Sequence, residues 1–169
     1  MRVLIVSDSH NKEENLFKIF RNETFDAVAF LGDVEYGEER VRDYLEKTHP
    51  GCPIRFVKGN CDDHTDFDIS AVVNYGGVKV FMTHGHRFFV QKGRESLAAE
   101  AAKEGCSYAL FGHLHIPIKE EVMSVICFNP GSVSEPRNED KRATYGIMDI
   151  RSSEDAELLH YYIDELEEK

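Results

Sequence analysis

Seven side chains able to bind metal ions follow directly after short apolar runs of the sequence. They are Asp8, His10, Asp33, Asn60, His84, His113 and His115, placed at the ends of five such runs. Each run is typical of a buried strand, and open α/β sheets bind ligands at the carboxyl ends of their strands. If the strands share a sheet, we expect the seven side chains to converge at one of its edges.

The chemistry of this set is that of a metal centre. Four imidazoles, two carboxylates and an amide oxygen suit Mn²⁺, Fe²⁺, Zn²⁺ or Ni²⁺, and the lack of thiolates argues against a structural zinc site. Seven groups are too many for one ion with an open position, and they fit two ions bridged by a carboxylate. Two such ions form a clamp for phosphoryl transfer, in which a bridging hydroxide attacks phosphorus in line.

The first half of the chain predicts the elements that position three of these strand ends. Residues 2–7, 26–31 and 53–58 are predicted strands, and residues 11–22 and 38–47 are predicted helices. This alternation indicates a parallel sheet with right-handed crossovers.

The second half of the chain changes its pattern. Residues 69–75 and 78–83 flank a Gly-Gly turn and predict an antiparallel hairpin, and residues 92–104 predict a helix. Residues 108–111 predict a short buried strand. The strands after it resemble a meander and are expected to form a second sheet: 117–122, 124–128, 144–150 and 156–163. The charged residues 164–169 are expected to fray, and we expect one domain over residues 1–169.

Composition limits the classes of partner. The formal net charge is −11, which argues against long nucleic acids and anionic membranes as partners because phosphate contacts need Lys and Arg. A small phosphorylated substrate stays compatible, since bound cations reverse the local field. Without a run of 18 apolar residues, a signal segment or a Cys-x-x-Cys pair, the sequence predicts a cytoplasmic protein with reduced thiols and no membrane span.

The order of the motifs resembles the calcineurin-like metallophosphoesterase superfamily. The motifs are Asp8-x-His10, Gly32-Asp33, Gly59-Asn60, His84-Gly85 and Gly112-His113-x-His115. The short chain and the run Gly-Asn-Cys-Asp at 59–62 resemble the small prokaryotic branch of Mn-dependent phosphodiesterases. The resemblance implies an α/β fold of four layers (α/β/β/α), in which a two-sheet β-sandwich carries helices on both outer faces.

The same resemblance implies roles for the seven residues. One metal ion would be held by Asp8, His10 and His115, the other by Asn60, His84 and His113, and Asp33 would bridge them. The ions would be Mn²⁺, with Ni²⁺, Fe²⁺, Zn²⁺ or Mg²⁺ as alternatives. Small enzymes of this type often pair, so a homodimer is compatible with the resemblance, while the sequence leaves the oligomeric state open.

The position of Cys61 departs from the family pattern. Most phosphatases of the superfamily carry a histidine there, which stabilises the transition state or protonates the leaving oxygen. The difference implies weak activity on monoesters and better activity on small or activated diesters. For Cys61 itself, a space-filling residue and a low-pKa, oxidisable thiol are the alternatives. His86 either donates to a phosphate oxygen or is a solvated or outer-sphere residue.

Other residues near these motifs have weaker interpretations. The run from Gly32 to Tyr36 resembles a purple acid phosphatase motif, but those enzymes lack a histidine at position 10, so Tyr36 is expected at a helix entry. Asp62 is predicted to orient His10 or His84, or to cap a helix. The Asn-Pro-Gly-Ser run at 129–132 predicts a tight turn, and no role is expected for His49, His64 or His160.

Two main functions follow from the sequence. The first is a phosphodiesterase acting on a small phosphodiester. The second is a non-catalytic interaction scaffold, similar to the retromer subunit of the superfamily, which should have lost ligands that are retained here. A nuclease is disfavoured because the chain lacks a basic stripe.

Overall fold

Ten strands and three α-helices form the part of the chain that the computed structural model describes, residues 1–167. The helices are α1 (Glu14–Asn22), α2 (Glu38–Thr48) and α3 (Glu95–Lys103). The strands are β1 (Arg2–Val6), β2 (Ala27–Phe30), β3 (Ile54–Phe56), β4 (Ser70–Tyr75), β5 (Val78–Thr83), β6 (Tyr108–Leu110), β7 (Pro117–Val122), β8 (Val125–Pro130), β9 (Thr144–Ser152) and β10 (Asp155–Tyr162).

The strands form two mixed sheets of five strands each. The first has the order β10-β9-β1-β2-β3, in which β1, β2 and β3 are parallel and β9 runs antiparallel to β1. The second has the order β4-β5-β6-β8-β7, in which β5, β6 and β8 are parallel and the edge strands are antiparallel. The predicted parallel unit and the predicted hairpin are therefore both confirmed.

The pairing of the last two strands corrects the sequence-based expectation. Of the four strands that follow β6, only β7 and β8 belong to the second sheet. The last two, β9 and β10, join the first sheet. The reason is two-sided burial of β9: Tyr145 and Ile147 pack towards the helices, while Met148 and Ile150 pack between the sheets. Such a strand belongs inside a sheet, but an apolar run does not reveal which neighbour it pairs with.

Four layers result from the way each sheet buries both of its faces. On β1, Leu4 and Val6 pack against α1 and α2, whereas Val3 and Ile5 pack against the second sheet. Burial on both faces explains why the strand is apolar without alternation. Helix α3 covers the outer face of the second sheet with Leu97, Ala98 and Ala101. The predicted α/β/β/α architecture is confirmed.

The boundaries differ mainly where loops carry functional residues. Helix α1 begins at Glu14 instead of residue 11, because His10 and Asn11 have left-handed backbone conformations that a helix cannot contain. At the C-terminal end, Ile163–Glu165 forms a 3₁₀ turn with Ile163 buried, and Arg142 pairs with Asp164. The fraying predicted from residue 164 is therefore wrong at its start, and residues 168 and 169 lie outside the described part.

Backbone hydrogen bonds join the loops at the carboxyl ends of strands from both sheets. The amide of Asp8, after β1, donates to the carbonyl of Gly32, after β2, at 3.0 Å. The amide of Gly112, after β6, donates to the carbonyl of His84, after β5, at 3.0 Å. The amide of His113 donates to the Asp8 carboxylate at 3.2 Å and links the two groups. Within residues 1–167, no helix is long and apolar enough to cross a membrane.

Candidate metal centre

The structure brings all seven predicted side chains together where these loops meet. His84 Nε2 lies 3.3 Å from Asp33 Oδ2 and 3.2 Å from Asn60 Oδ1. On the other side, His115 Nε2 lies 3.2 Å from Asp8 Oδ1. His10 and His113 complete the group: His10 Nε2 is 3.8 Å from Asp33 Oδ2, and the His113 and His84 ring centroids are 5.2 Å apart.

The backbone turns sharply at most of these residues. Five of the seven have positive φ angles between 46° and 70°, namely Asp8, His10, Asp33, His113 and His115. For a residue with a Cβ atom this conformation costs about 1–2 kcal/mol, and it persists only where the surroundings hold it in place. Here it turns each side chain out of the strand direction and towards the common centre.

Glycine at position 32 allows two of the loops to approach closely. A Cβ atom on Gly32 would lie 2.7 Å from His84 Nδ1 and 2.8 Å from the Cα atom of Gly59, both closer than ordinary packing allows. Its φ of 96° also favours glycine. The glycine before Asp33 therefore lets the loops after β2 and β3 bring Asp33 and Asn60 against the same imidazole.

Hydrogen bonds on the outer side orient three of the imidazoles. His84 Nδ1 lies 2.6 Å from the carbonyl oxygen of Leu31, and His115 Nδ1 lies 2.7 Å from that of Glu135. Because a carbonyl can only accept, both Nδ1 atoms carry a proton, and both Nε2 atoms point at the carboxylates. His10 is held in the same way, since its Nδ1 lies 2.8 Å from Glu35 Oε1. Metal-binding histidines are commonly fixed by such partners.

Glu35 is the residue that the sequence interpretation missed. Its carboxylate contacts His10 and also accepts a hydrogen bond of 2.5 Å from the Asn11 side chain. Glu35 begins the 3₁₀ turn Glu35–Gly37 that precedes α2. In the sequence it reads as an ordinary acidic residue near a helix start, and only the fold reveals its contact with His10.

The donor set fits divalent cations. Asp8 Oδ1 is buried without a hydrogen bond among the described residues, because the neighbouring Nε2 of His115 carries no proton when Nδ1 donates to Glu135; an unpaired buried acceptor is costly. Within 4.8 Å of one another lie ligand atoms of Asp8, His10 and His115, and likewise of Asp8, Asp33 and His84. Two buried carboxylates surrounded by inward-facing Nε2 atoms provide the mixed oxygen and nitrogen ligation that such ions prefer.

The electrostatics of the centre also favour a cation. Burial opposes the charged form of His84, but the carboxylates of Asp8 and Asp33 outweigh it and raise the pKa of this imidazole to about 9. Burial likewise opposes ionisation of Asp33, yet its hydrogen bond with His84 and the charge of that ring lower the Asp33 pKa overall. The same negative field that retains a proton on His84 would attract a metal ion in its place.

Two histidines beside His84, His86 and His113, have lowered pKa values. Burial, followed by the charge of the nearby His84, lowers the pKa of His86 to about 4 and also lowers that of His113. The His86 ring centroid lies 5.5 Å from that of His84, and its Nδ1 is buried without a partner among the described residues. His86 is therefore a half-buried neighbour of the centre, and a freely solvated His86 is excluded.

Asp62 has a role different from either predicted one. Its buried carboxylate accepts hydrogen bonds from the backbone amides of Asp33, Glu35 and Gly59, at 2.8, 2.7 and 2.8 Å. The expectation that it orients His10 or His84, or caps a helix, is wrong. Asp62 instead ties together the two loops that carry Asp33 and Asn60.

The Asn-Pro-Gly-Ser run forms the expected turn and also anchors the centre. Asn129 donates from Nδ2 to the carbonyl of Gly112 at 2.6 Å, next to His113. The hydroxyls of Ser132 and Ser134 both donate to the carbonyl of Asp8, at 2.8 and 2.9 Å. These bonds hold the strained Asp8 backbone in place.

Cys61 lies at the exposed rim of the centre. Its amide donates to Asp33 Oδ1 at 2.8 Å, and its thiol accepts a bond of 3.2 Å from the Asn60 side chain. Burial of the sulfur, together with the charges of Asp33 and Glu35, raises the pKa of this thiol to about 11. The surrounding residues therefore favour a neutral thiol, contrary to the low-pKa alternative.

Comparison with known proteins establishes the family. The family model for the calcineurin-like phosphoesterase superfamily domain matches residues 1–153, so the chain belongs to that superfamily. The chain is 33% identical over 165 residues to the probable metallophosphoesterase YsnB of Bacillus subtilis, covering 96% of this chain and 90% of that protein. It is 30% identical over 172 residues to the phosphodiesterase YfcE of Escherichia coli K12, covering 88% of each. The resemblance seen in the motifs is confirmed.

A solved structure shows the same fold. A single-mutant form of Vps29 from Entamoeba histolytica superposes with a TM-score of 0.79 and 22% identity, covering 96% of this chain and 92% of that one. Because the identity is low, this likeness concerns the fold alone. The fold and the family together make the chain a metallophosphoesterase-fold protein with groups placed to bind metal ions.

The three bonds that Asp62 accepts make a first testable prediction. Asp62→Asn replaces one acceptor by an NH₂ group facing a backbone N–H, so the free energy of unfolding of the metal-free protein should fall by about 1–3 kcal/mol. The neighbouring exposed Asp63 offers a matched control, and Asp63→Asn should change it by less than about 0.5 kcal/mol. Urea denaturation measures both values, and equal effects of the two variants would contradict this role.

The His84 pKa predicts a pH dependence of the metal-free protein. The pKa of His84 is about 9 in the folded protein, above its ordinary value of 6.5. The ion pairs of His84 with Asp8 and Asp33 therefore stabilise the fold fully below pH 6.5, and this stabilisation is lost as the pH rises to 9. Stability measured by urea denaturation should therefore decline across this window. With saturating Mn²⁺ the decline should vanish, because the cation replaces the proton. His84→Gln, which cannot titrate, is the control, and a flat metal-free profile for the unmodified protein would refute the assignment.

Proposed function

We propose that this protein is a dinuclear metallophosphoesterase that hydrolyses small or activated phosphodiesters. The observation that carries the proposal is the buried pair Asp8 and Asp33, faced by the Nε2 atoms of His10, His84 and His115. The similarity to the phosphodiesterase YfcE supports a diester as the substrate class.

The proposed ligands fall into two groups around Asp33. Asp8, His10 and His115 would hold one ion, because their ligand atoms lie within 4.8 Å of one another. Asn60, His84 and His113 would hold the second ion, since His84 contacts Asn60 directly and lies beside the His113 ring. Asp33 contacts His84 and lies near His10, so it would bridge the two ions. We propose Mn²⁺ as the native metal.

The bound ions would supply an ionised water as nucleophile and offset the negative charge of the phosphate oxygens. The protein's own residues would orient the ligands and bind the phosphate. Glu35, Leu31 and Glu135 fix the rings of His10, His84 and His115 so that the ligand atoms need no rearrangement. His86, neutral with a pKa of about 4, would offer an N–H to a phosphate oxygen without adding charge.

Leaving-group chemistry sets the preferred substrate. A general acid near the leaving oxygen would allow poor leaving groups to depart, but the rim position carries the thiol of Cys61, whose pKa is raised to about 11. A thiol this weakly acidic is a poor proton donor at neutral pH. Esters whose leaving group is stable as an anion, such as aryl diesters, would therefore react best.

An interaction scaffold is the competing function, and the shared fold with Vps29 supports it. In that case the centre would be a docking surface without turnover. The full set of seven ligand-type side chains favours the enzyme, because docking alone would not require buried carboxylates and strained loops at one point.

Hydrolysis of bis(p-nitrophenyl) phosphate tests the proposed activity. Protein stripped with a chelator should be inactive, and added Mn²⁺ should restore turnover. Asp33→Asn should lower kcat by at least about a hundredfold, because it removes the charge that would bridge the ions. Asp63→Asn, an exposed carboxylate outside the centre, should retain activity within about twofold.

The result also separates the two functions. Folded protein that shows no turnover with Mn²⁺, Ni²⁺, Fe²⁺, Zn²⁺ or Mg²⁺ would refute the enzyme and favour the scaffold. Equilibrium dialysis with Mn²⁺ provides an independent measure: about two ions should bind per chain in the unmodified protein, and fewer in Asp33→Asn.

Cys61 gives a prediction about its own role. If the thiol only fills space, Cys61→Ser and Cys61→Ala should retain activity on bis(p-nitrophenyl) phosphate within about tenfold, since no proton transfer is lost. A loss of more than about a hundredfold in both variants would show that the thiol takes part in the reaction. Cys52→Ser, at a free cysteine that packs against the core between the first sheet and its helices, controls for general thiol effects.

A further inference from the structure

Tyr36 is a large aromatic side chain that the fold leaves exposed. Its relative exposure is 71%, the highest among the exposed large apolar residues of the described chain. One face of the ring stacks on His64, with ring centroids 4.0 Å apart and an angle of 14° between the planes. His64 is exposed as well, so this stack contributes little to the core. It presents a flat aromatic surface at the protein surface.

The stack is tied to the metal centre through one residue. Glu35 contacts His10 through its carboxylate at 2.8 Å, and its carbonyl oxygen lies 3.1 Å from His64 Nε2. Tyr36 follows Glu35 directly in the 3₁₀ turn. The orientation of both rings is therefore set by the residue that also orients His10.

A cleft beside the stack is large enough for a planar ligand. It has a volume of about 290 Å³ and is lined by Glu35, Tyr36, Glu38, Glu39, His64 and Thr65. Glu35 lines this cleft and also contacts His10, so the cleft adjoins the residues proposed to hold the metal ions.

The charges of the cleft indicate what kind of group fits. Three of the lining residues are glutamates, and no lysine or arginine lines the cleft within residues 1–167. Only one of the three, Glu38, is balanced by an arginine, through a contact of 2.7 Å to Arg42. A second phosphate group would be repelled. A neutral planar ring could stack on Tyr36, and an amino group on its edge could donate to Glu39.

We propose that Tyr36 and His64 form a stacking subsite for the nucleobase of the substrate, which is then a nucleotide carrying a single phosphodiester group. This inference rests on the proposed phosphodiesterase function and narrows its substrate. A nucleotide has the required layout, because its base lies one sugar away from its phosphate. Stacking on an aromatic side chain tolerates any base and contributes substantially to affinity.

Binding to the Mn²⁺-loaded protein, measured by calorimetry, tests the subsite without relying on turnover. AMP and ribose 5-phosphate share the phosphate and the sugar, so the ratio of their dissociation constants isolates the base. In the unmodified protein AMP should bind at least about tenfold more tightly. Tyr36→Ala should reduce the ratio to about twofold or less, whereas Tyr36→Phe should retain it. Phe89→Ala, at another exposed aromatic residue, is the matched control and should also retain it.

The results of these binding measurements either support or overturn the proposed subsite. Equal affinities for the two ligands in the unmodified protein, binding of neither, or a ratio unaffected by Tyr36→Ala would overturn it. If the stack only supports the turn, Tyr36→Ala will lower the stability without changing the ratio. Hydrolysis of methyl p-nitrophenyl phosphate, measured in parallel, separates this question from the proposed function. Turnover without base preference refutes the subsite alone, and base preference without turnover refutes the esterase alone.

Discussion

The structure depends on two carboxylates, Asp8 and Asp33, that are buried side by side where the two sheets meet. Buried charges are tolerated only when they are paired, and here imidazoles face both carboxylates: His84 Nε2 lies 3.3 Å from Asp33 and His115 Nε2 lies 3.2 Å from Asp8. One oxygen of Asp8 still has no hydrogen-bond partner among the described residues. The centre is thus arranged around negative charge that a proton compensates only in part, and a divalent cation compensates such charge better than a proton does.

Holding these carboxylates in place explains much of the surrounding architecture. Left-handed backbone at the ligand residues is unfavourable and would relax if the loops were free. Three sets of hydrogen bonds from different parts of the chain prevent this. Asp62 joins two loops by accepting bonds from backbone amides. The hydroxyls of Ser132 and Ser134 donate to the Asp8 carbonyl, and Asn129 donates to the loop before His113. The two sheets supply the rigid frame because both faces of their central strands are packed.

Much of this arrangement could be predicted from local signals. The strands and the convergence of seven ligand-type residues followed from apolar runs that end in Asp, Asn or His, whereas the layer order was implied by the resemblance of the motifs to the superfamily. Three features could not be predicted, because they depend on distant neighbours. The pairing of β9 with β1 leaves no mark on an apolar run. Glu35 resembles any acidic residue near a helix start, and Asp62 resembles a capping residue. Their partners are backbone amides or a ring that only the folded loops bring near.

The residues at the rim of the centre differ in chemistry from the imidazoles and carboxylates of its interior, and this difference bears on substrate specificity. Inside, hydrogen bonds fix the rings of His10, His84 and His115, and the carboxylates of Asp8 and Asp33 are buried. At the rim, Cys61 provides no ready proton, while Tyr36 and His64 provide an aromatic surface beside acidic residues. Under the proposed function, a substrate would need a leaving group that departs without protonation and would gain binding energy from a neutral planar part. These two demands act on different parts of one molecule, so selection among phosphodiesters would come from the rim and not from the residues proposed to hold the metal ions.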